Sequence, residues 1–219
     1  MLMQEEREQI VEYGKLLASL GLCPGTSGNL SIYNEKLGLM AISPSGMDYD
    51  RLQPEDVVVT DLEARIVDGL RKPSSEWALH TAFYKAKPHV RAVVHTHAVH
   101  CTALAALGEP IRAVHFVILD AGVDTVPCAP YRTFGTQELA EAAVEACGES
   151  RAVLLANHGI VCCGSSLPDA CGLARNMEYV AQVQLLAMAA GNPNILSPEQ
   201  IQKAGVRLKS YGQSKEKAM

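Results

Sequence analysis

The sequence lacks several features that would place it in a specialised class of protein. It has no cluster of Lys or Arg residues and a formal net charge of −5, whereas phosphate-backbone binding needs clustered positive charge. No apolar run approaches the roughly 20 residues that a membrane-spanning helix needs. Repeats, low-complexity tracts and clear linkers are also missing. We therefore predict a protein with neither a nucleic-acid partner nor a membrane partner.

The cysteines provide neither a disulfide framework nor a metal-binding spacing. There are seven of them, an odd number, and no two form a C-x-x-C pair. The chain opens with the acidic pair Glu5 and Glu6 instead of the basic and apolar segments of a signal peptide. This combination favours a reducing compartment, and we expect a cytoplasmic protein.

The composition is that of an ordinary globular domain. Apolar residues make up 48% of the chain and charged residues 20%. A length of 219 residues suffices for one domain with a good core. We predict a single domain over residues 1–219, with a mobile C-terminal tail from about residue 209.

Hydrophobic periodicity predicts alternating helices and strands. Helical patterns cover residues 4–20, 75–86, 99–107, 136–147 and 169–190, and a further helix follows Ser197-Pro198. Apolar or alternating runs mark strands at 30–33, 39–43, 56–60, 65–68, 91–94 and 153–156. Because several strands join through short turns, we predict an α/β fold. Its central sheet is expected to be mixed to mainly antiparallel and covered by helices on both faces.

Three histidines form the clearest chemical signal. His95 and His97 stand at the end of an apolar strand, where alternate residues project to the same side and can bind one metal ion. His158 follows another apolar strand. Three imidazoles leave a fourth metal position open for water or substrate, as in a catalytic zinc site. The competing interpretation is a set of hydrogen-bonded structural histidines, the role predicted for the other four: His80, His89, His100 and His115.

A carboxylate and two turns rich in small residues add to this signal. Glu76 follows two serines where a helix is predicted to begin. Its side chain either caps that helix or moves a proton beside a metal-polarised carbonyl. The turns and the helix start carry amides and hydroxyls that either converge on a phosphate or serve ordinary turn chemistry. The residues concerned are Gly28, Asn29, Ser45, Gly46, Ser74 and Ser75.

Five segments occur in an order and spacing shared with a known family. They are Gly25-Thr26-Ser27-Gly28-Asn29-Leu30-Ser31, Ser43-Pro44-Ser45-Gly46, Pro73-Ser74-Ser75-Glu76-Trp77, His95-Thr96-His97-Ala98-Val99-His100 and Asn157-His158-Gly159. With them the chain resembles, over nearly its whole length, the class II aldolase family of L-fuculose-phosphate aldolase and L-ribulose-phosphate 4-epimerase. Two more segments make the fuculose-phosphate aldolase branch the most similar: Pro127-Cys128-Ala129-Pro130-Tyr131 and Thr133-Phe134-Gly135-Thr136.

The resemblance implies a reaction and a site. The expected reaction is reversible retro-aldol cleavage of a ketose 1-phosphate to dihydroxyacetone phosphate and an aldehyde. One Zn²⁺ per subunit, with Co²⁺ or Mn²⁺ as alternatives, is expected on His95, His97 and His158, with Glu76 as a further ligand and as the acid/base. The six residues of the turns and helix start are expected to bind the substrate phosphate. The family also implies a homotetramer with active sites between neighbouring subunits.

One position departs from the family pattern. Phe116 stands where the fuculose-phosphate aldolases carry a tyrosine that reaches the aldehyde end of the substrate from a neighbouring subunit. Tyr211 matches the family's second tyrosine, near the C-terminus, and is the second candidate catalytic residue. Phe116 makes the aldehyde pocket less polar. This favours 5-deoxyribulose or 5-methylthioribulose 1-phosphate as a substrate beside L-fuculose 1-phosphate.

Three alternatives to an aldolase stay open on the sequence. A sugar-phosphate 4-epimerase or a methylthioribulose-phosphate dehydratase would use the same metal and acid/base logic. The epimerases usually carry Asp where Glu76 stands, which argues against the first. An adducin-head-like interaction module would have the same fold without the metal-binding histidines, whereas this chain has all three.

Overall fold

Strands and helices alternate along the part of the chain that this computed structural model describes, residues 1–208 and residue 210. The helices are α1 (Gln4–Ser19), α2 (Trp77–Ala86), α3 (Val99–Leu107), α4 (Gln137–Cys147), α5 (Leu167–Ala190) and α6 (Pro198–Leu208). The strands are β1 (Asn29–Asn34), β2 (Leu39–Ile42), β3 (Val58–Thr60), β4 (Ile66–Asp68), β5 (Ala92–Thr96), β6 (Ile111–Arg112), β7 (Thr125–Val126), β8 (Cys128–Ala129), β9 (Ala152–Leu155) and β10 (Gly159–Gly164).

Eight of the strands form one sheet in the order β4-β3-β2-β1-β5-β10-β9-β8. All neighbours in it pair antiparallel except β8 and β9, which are parallel. The short strands β6 and β7 form a separate antiparallel pair. The prediction of a mixed to mainly antiparallel sheet is therefore confirmed.

Two hydrophobic clusters cover the two faces of this sheet. One includes buried residues of α1, α3 and α5, such as Leu104, and the other includes buried residues of α2 and α4, such as Phe83. Within β5, Val94 belongs to the first cluster and Val93 to the second, because successive strand residues point to opposite faces. Helices thus lie on both faces, as predicted.

The principal element that sequence analysis does not predict is β10. All six of its residues are buried, and it lies between β5 and β9 in the sheet. A strand covered on both faces lacks the polar and apolar alternation that marks a half-buried strand. A smaller error concerns α2, which begins at Trp77 instead of residue 75. Ser75 and Glu76 therefore precede the helix.

The longest helix, α5, has 24 residues and begins after Ser166, whose side chain accepts a hydrogen bond from the backbone amide of Asp169. Neither it nor any other helix within residues 1–208 combines the length and apolar character that a membrane span requires. The tail predicted from about residue 209 lies outside the described residues, apart from Ser210.

Candidate active site

The end of β5 carries the first two histidines. His95 is completely buried within the strand, and His97 follows two positions later. Alternate residues of a strand project to the same side, so the two imidazoles approach each other. Their ring centroids are 4.9 Å apart, and their Nε2 atoms are 3.0 Å apart.

A hairpin turn presents the third histidine. β9 ends at Leu155, which pairs with Gly159 at the start of β10, and the turn between them contains Asn157 and His158. Asn157 has a φ of +57°, a left-handed conformation that asparagine tolerates better than most residues. Because β10 also pairs with β5, the turn delivers His158 to the end of β5. Its ring centroid lies 4.7 Å from that of His95 and 4.9 Å from that of His97.

Gly159 permits this arrangement because a side chain does not fit there. A Cβ atom at this position would lie 2.3 Å from the backbone oxygen of Thr96 and 3.1 Å from Cδ2 of His97. The first residue of β10 therefore packs directly against the end of β5. A larger residue would displace the backbone that holds two of the histidines.

The three imidazoles are held in the neutral form that binds metals. Burial lowers the pKa of all three, and that of His95 is lowered further by the neighbouring His158 and His97. His95 donates from Nδ1 to the backbone oxygen of Ile160 at 3.0 Å. Its Nε2 therefore keeps a lone pair facing the cluster, which is how an orienting hydrogen bond prepares a histidine for a metal.

Glu76 brings a buried carboxylate to the same cluster. Its Oε2 lies 3.3 Å from Nε2 of His95 and accepts a hydrogen bond from Nδ2 of Asn29 at 3.0 Å. Its Oε1 lies 3.5 Å from Nε2 of His158. The Glu76 side chain makes no capping hydrogen bond to α2, so the helix-capping interpretation is wrong.

The donor set fits a divalent cation. One ligand nitrogen from each of the three histidines lies within 4.8 Å of the others. Oε1 of Glu76 is buried without any hydrogen-bond partner among the residues that the structure describes, and an orphaned buried carboxylate oxygen is costly unless a cation or a donor faces it. Three neutral imidazoles are a ligand set that suits a divalent cation such as zinc and leaves a fourth position, beside the Glu76 carboxylate, for water or substrate.

A cavity of about 350 Å³ opens beside the histidines. His97, His158 and Glu76 line it, together with all six of the residues predicted to bind phosphate: Gly28, Asn29, Ser45, Gly46, Ser74 and Ser75. The turn and the helix start lie side by side because the Ser45 amide donates to the Lys72 oxygen and the Ser74 amide to the Ser43 oxygen, each at 3.0 Å. The fold thus brings together segments that are far apart in the sequence.

The loop between β8 and α4 forms a wall of the cavity to which sequence analysis assigned no role. Tyr131, Arg132 and Phe134 line the cavity, and their side chains are exposed. Within the described chain, Arg132 is the only Lys or Arg in the cavity wall. The sequence could have pointed to this loop, because residues 127–136 carry part of the family resemblance. The resemblance does not show which of these side chains point into the cavity.

Comparison with known proteins identifies the family. The family model described as "Class II Aldolase and Adducin N-terminal domain" matches residues 8–185, which is most of the chain. The chain belongs to this family.

Two curated relatives are similar to this class II aldolase over almost its full length. The 5-deoxy-D-ribulose 1-phosphate aldolase of Bacillus thuringiensis serovar kurstaki is 43% identical over 213 residues, covering 97% of this chain and 100% of the relative. The L-fuculose phosphate aldolase of Escherichia coli O6:H1 is 41% identical over 206 residues, covering 93% and 94%.

A solved structure agrees with the curated relatives. An L-fuculose 1-phosphate aldolase superposes with a TM-score of 0.91 at 38% identity, covering 95% of this chain and 98% of the other. The predicted family, fold and class II aldolase activity are confirmed. Enzymes of this class depend on a metal ion, and the cluster of His95, His97 and His158 is where the residues fit one.

Phe116, one of the two aromatic candidates of this class II aldolase, does not line the cavity beside the histidines. Phe116 is 42% exposed and lines a second, mainly apolar cavity of about 520 Å³ together with Val117, Ala204 and Leu208. Tyr211 lies outside the described residues. The roles assigned to Phe116 and Tyr211 by resemblance stay predictions.

Proposed function

We propose that this class II aldolase cleaves a ketose 1-phosphate to dihydroxyacetone phosphate and an aldehyde, with zinc as its metal. The observation that carries the proposal is the composition of one cavity. His97, His158 and the buried Glu76 carboxylate line the same cavity as two glycine-containing turns and a serine pair. The buried His95 completes the cluster of three imidazoles. A phosphorylated sugar with a carbonyl group matches both sets of residues.

We expect backbone amides and hydroxyl groups of the cavity to bind the substrate phosphate. Gly28 and Gly46 have φ values of +77° and +66°, conformations that glycine adopts readily and that turn backbone N–H groups toward a bound anion. Ser74 and Ser75 stand just before α2, where the positive end of the helix dipole favours negative charge. These contacts fix the reacting carbons relative to Glu76, and such positioning contributes several kcal/mol of rate acceleration.

Glu76 moves the proton in the proposed reaction. A metal ion held by His95, His97 and His158 would supply a Lewis acid for negative charge that develops at the substrate carbonyl. When the C3–C4 bond breaks, its electron pair moves toward that carbonyl, and the C4 hydroxyl gives its proton to the Glu76 carboxylate as the aldehyde forms. Glu76 delivers a proton to C3 of the dihydroxyacetone phosphate fragment, and in the reverse direction its carboxylate removes that proton.

The favoured substrate is 5-deoxyribulose 1-phosphate or its 5-methylthio analogue. The relative with 43% identity is named for the first of these, and an apolar Phe116 suits an aldehyde without a terminal hydroxyl. L-Fuculose 1-phosphate is the second candidate, because it is named in the relative with 41% identity and in the superposed structure.

A coupled assay for dihydroxyacetone phosphate tests the proposed function. We expect release from 5-deoxyribulose, 5-methylthioribulose or L-fuculose 1-phosphate, and we expect a chelator to abolish it and added Zn²⁺ to restore it. A metal-loaded protein that releases no dihydroxyacetone phosphate from any of the three would refute the proposal. Analysis of the products would then identify an epimerised or a dehydrated sugar phosphate.

We further propose a homotetramer in a reducing cytoplasm. Exposed Phe116 sits beside an apolar cavity, and in a tetramer this surface would meet a neighbouring subunit, where the predicted roles of Phe116 and Tyr211 lie. All seven cysteines are free, and six of them are buried. Light scattering should give four times the chain mass of 23.5 kDa; a monomeric active enzyme would contradict the tetramer.

Arg132 is proposed to strengthen binding of the anionic substrate. Replacing Arg132 with Gln should raise KM about tenfold with little change in kcat, because a charge-assisted hydrogen bond at this exposed wall contributes about 1–2 kcal/mol. The matched control is Arg65→Gln, in an exposed turn outside the cavity. Steady-state kinetics on both variants check this, and an unchanged KM in Arg132→Gln would remove Arg132 from substrate binding.

A further inference from the structure

A continuous chain of buried hydrogen-bonding side chains leads from Glu76 away from the cavity into the protein. In order, its members are Glu76, Asn29, His80, Ser31 and Tyr84. Each of the five is 6% exposed or less. We call this set the Glu76 relay.

The Glu76 relay connects one strand with one helix. Asn29 and Ser31 are alternate residues of β1 and therefore point to the same side of the sheet. Glu76, His80 and Tyr84 follow one another at intervals of four residues along the start and body of α2, so they lie on one face. The two rows of side chains interlock where β1 passes α2.

The contacts are short and continuous. Asn29 Nδ2 lies 3.0 Å from Oε2 of Glu76, and Asn29 Oδ1 lies 2.5 Å from Nε2 of His80. His80 Nδ1 lies 2.6 Å from Oγ of Ser31, and that Oγ lies 2.6 Å from the hydroxyl oxygen of Tyr84.

Once the Glu76 carboxylate is fixed as an acceptor, the direction of every hydrogen bond in the Glu76 relay follows. Asn29 turns its NH₂ group to Glu76 and its carbonyl oxygen to His80, so Nε2 of His80 must donate. Complete burial lowers the pKa of His80 to about 3, so the ring is neutral at pH 7 and its Nδ1 accepts. Ser31 therefore donates to His80, and Tyr84 donates to Ser31.

We propose that His80 is a positioning residue for Glu76, acting by fixing the orientation of the Asn29 amide. The inference rests on the proposed function, in which Glu76 carries the proton. Without the N–H of His80, the Asn29 amide can turn over and place its carbonyl oxygen against the carboxylate, where two acceptors repel each other. The Glu76 carboxylate would then lose the donor that holds it beside His95.

Two substitutions at position 80 separate positioning from simple packing. His80→Leu removes both hydrogen bonds and leaves an apolar side chain of similar size. His80→Gln keeps an N–H donor for Asn29 and an oxygen acceptor for Ser31 in one amide group. The matched control is His89→Leu, because His89 is exposed and lies outside the Glu76 relay.

The measurement is exchange of solvent deuterium into C3 of dihydroxyacetone phosphate by metal-loaded enzyme without aldehyde, since this step needs only the proton transfer. We expect His80→Leu to slow exchange about 10- to 100-fold, the size of effect that follows a displacement of about 1 Å. Bound metal per chain should not change. His80→Gln should recover most of the rate, and His89→Leu should match the wild type.

Nitrogen NMR of the wild-type protein adds a measurement that needs no variant. Nitrogen-15 shifts of His80 should show a neutral ring protonated at Nε2 at pH 7. A ring protonated at Nδ1 or at both nitrogens would overturn the assigned hydrogen-bond directions.

The kinetic outcomes distinguish this inference from the proposed function. Exchange in His80→Leu at the wild-type rate, with metal bound, would overturn the positioning role. Equal losses of rate in His80→Leu and His80→Gln, with an equal fall in Tm, would overturn it in favour of packing alone. No exchange in metal-loaded wild type would instead refute the proposed function, and the role of His80 with it.

Discussion

Replacing His97 with alanine is expected to abolish measurable aldol cleavage and to reduce bound metal far below one ion per chain. The substitution leaves two of the three imidazoles and opens the cluster on the cavity side, where His97 lies. Loss of a partner that only orients a ligand typically costs 10- to 100-fold in metal affinity or activity, so loss of a ligand should cost at least about 100-fold. Elemental analysis after dialysis, together with the dihydroxyacetone phosphate assay, measures both effects.

The control for this substitution is His89→Ala, which removes an exposed imidazole remote from the cluster. It should retain the metal content and the rate of the wild type. If His97→Ala kept full activity with normal metal content, His97 would not be a ligand and the three-histidine assignment would fail.

Replacing Glu76 with glutamine is expected to retain the metal and to lower kcat by about 10² to 10⁴, the usual contribution of a general acid/base. The side-chain amide has almost the same shape as the carboxylate, and its oxygen can still accept the hydrogen bond from Asn29. It cannot take up or release a proton at neutral pH. Metal content and kcat on the favoured ketose 1-phosphate provide the measurement.

Glu63→Gln serves as the matched control, because Glu63 is an exposed surface carboxylate outside the cavity. It should leave kcat unchanged. A Glu76→Gln enzyme with the wild-type rate would exclude Glu76 as the proton carrier, and the acid/base would have to be sought among other residues of the cavity.

Much of the fold could be predicted from local patterns. The helix α6 begins at Pro198, as the Ser197-Pro198 pair predicts, and most other elements lie within two residues of their expected bounds. His95 and His97 could be predicted to share a site because a spacing of two in a strand fixes the side to which both point. The geometry of a single element is enough for these predictions.

The remaining features depend on contacts between elements that are distant in the sequence. β10 is apolar on both faces because neighbouring layers cover it, and its sequence alone carries no alternation to reveal this. From the sequence, His80 is predicted to be an ordinary structural histidine on α2. Its hydrogen-bond partners Asn29 and Ser31 lie about 50 positions earlier, so the local pattern does not reveal them. The direction of the Arg132 side chain is likewise set by how its loop folds over the cavity.

The cavity has walls of two different kinds, and this difference bears on how the enzyme can evolve. One wall contains Gly28, where an added Cβ would lie 2.8 Å from the backbone oxygen of His95. A residue with a side chain therefore cannot replace Gly28 without displacing the backbone beside the histidines. The loop that carries Tyr131, Arg132 and Phe134 presents exposed side chains, where substitutions usually change the free energy of unfolding by no more than about 0.5 kcal/mol. Substitutions in this loop can therefore change which substrates the enzyme accepts, while the three histidines and Glu76 stay unchanged.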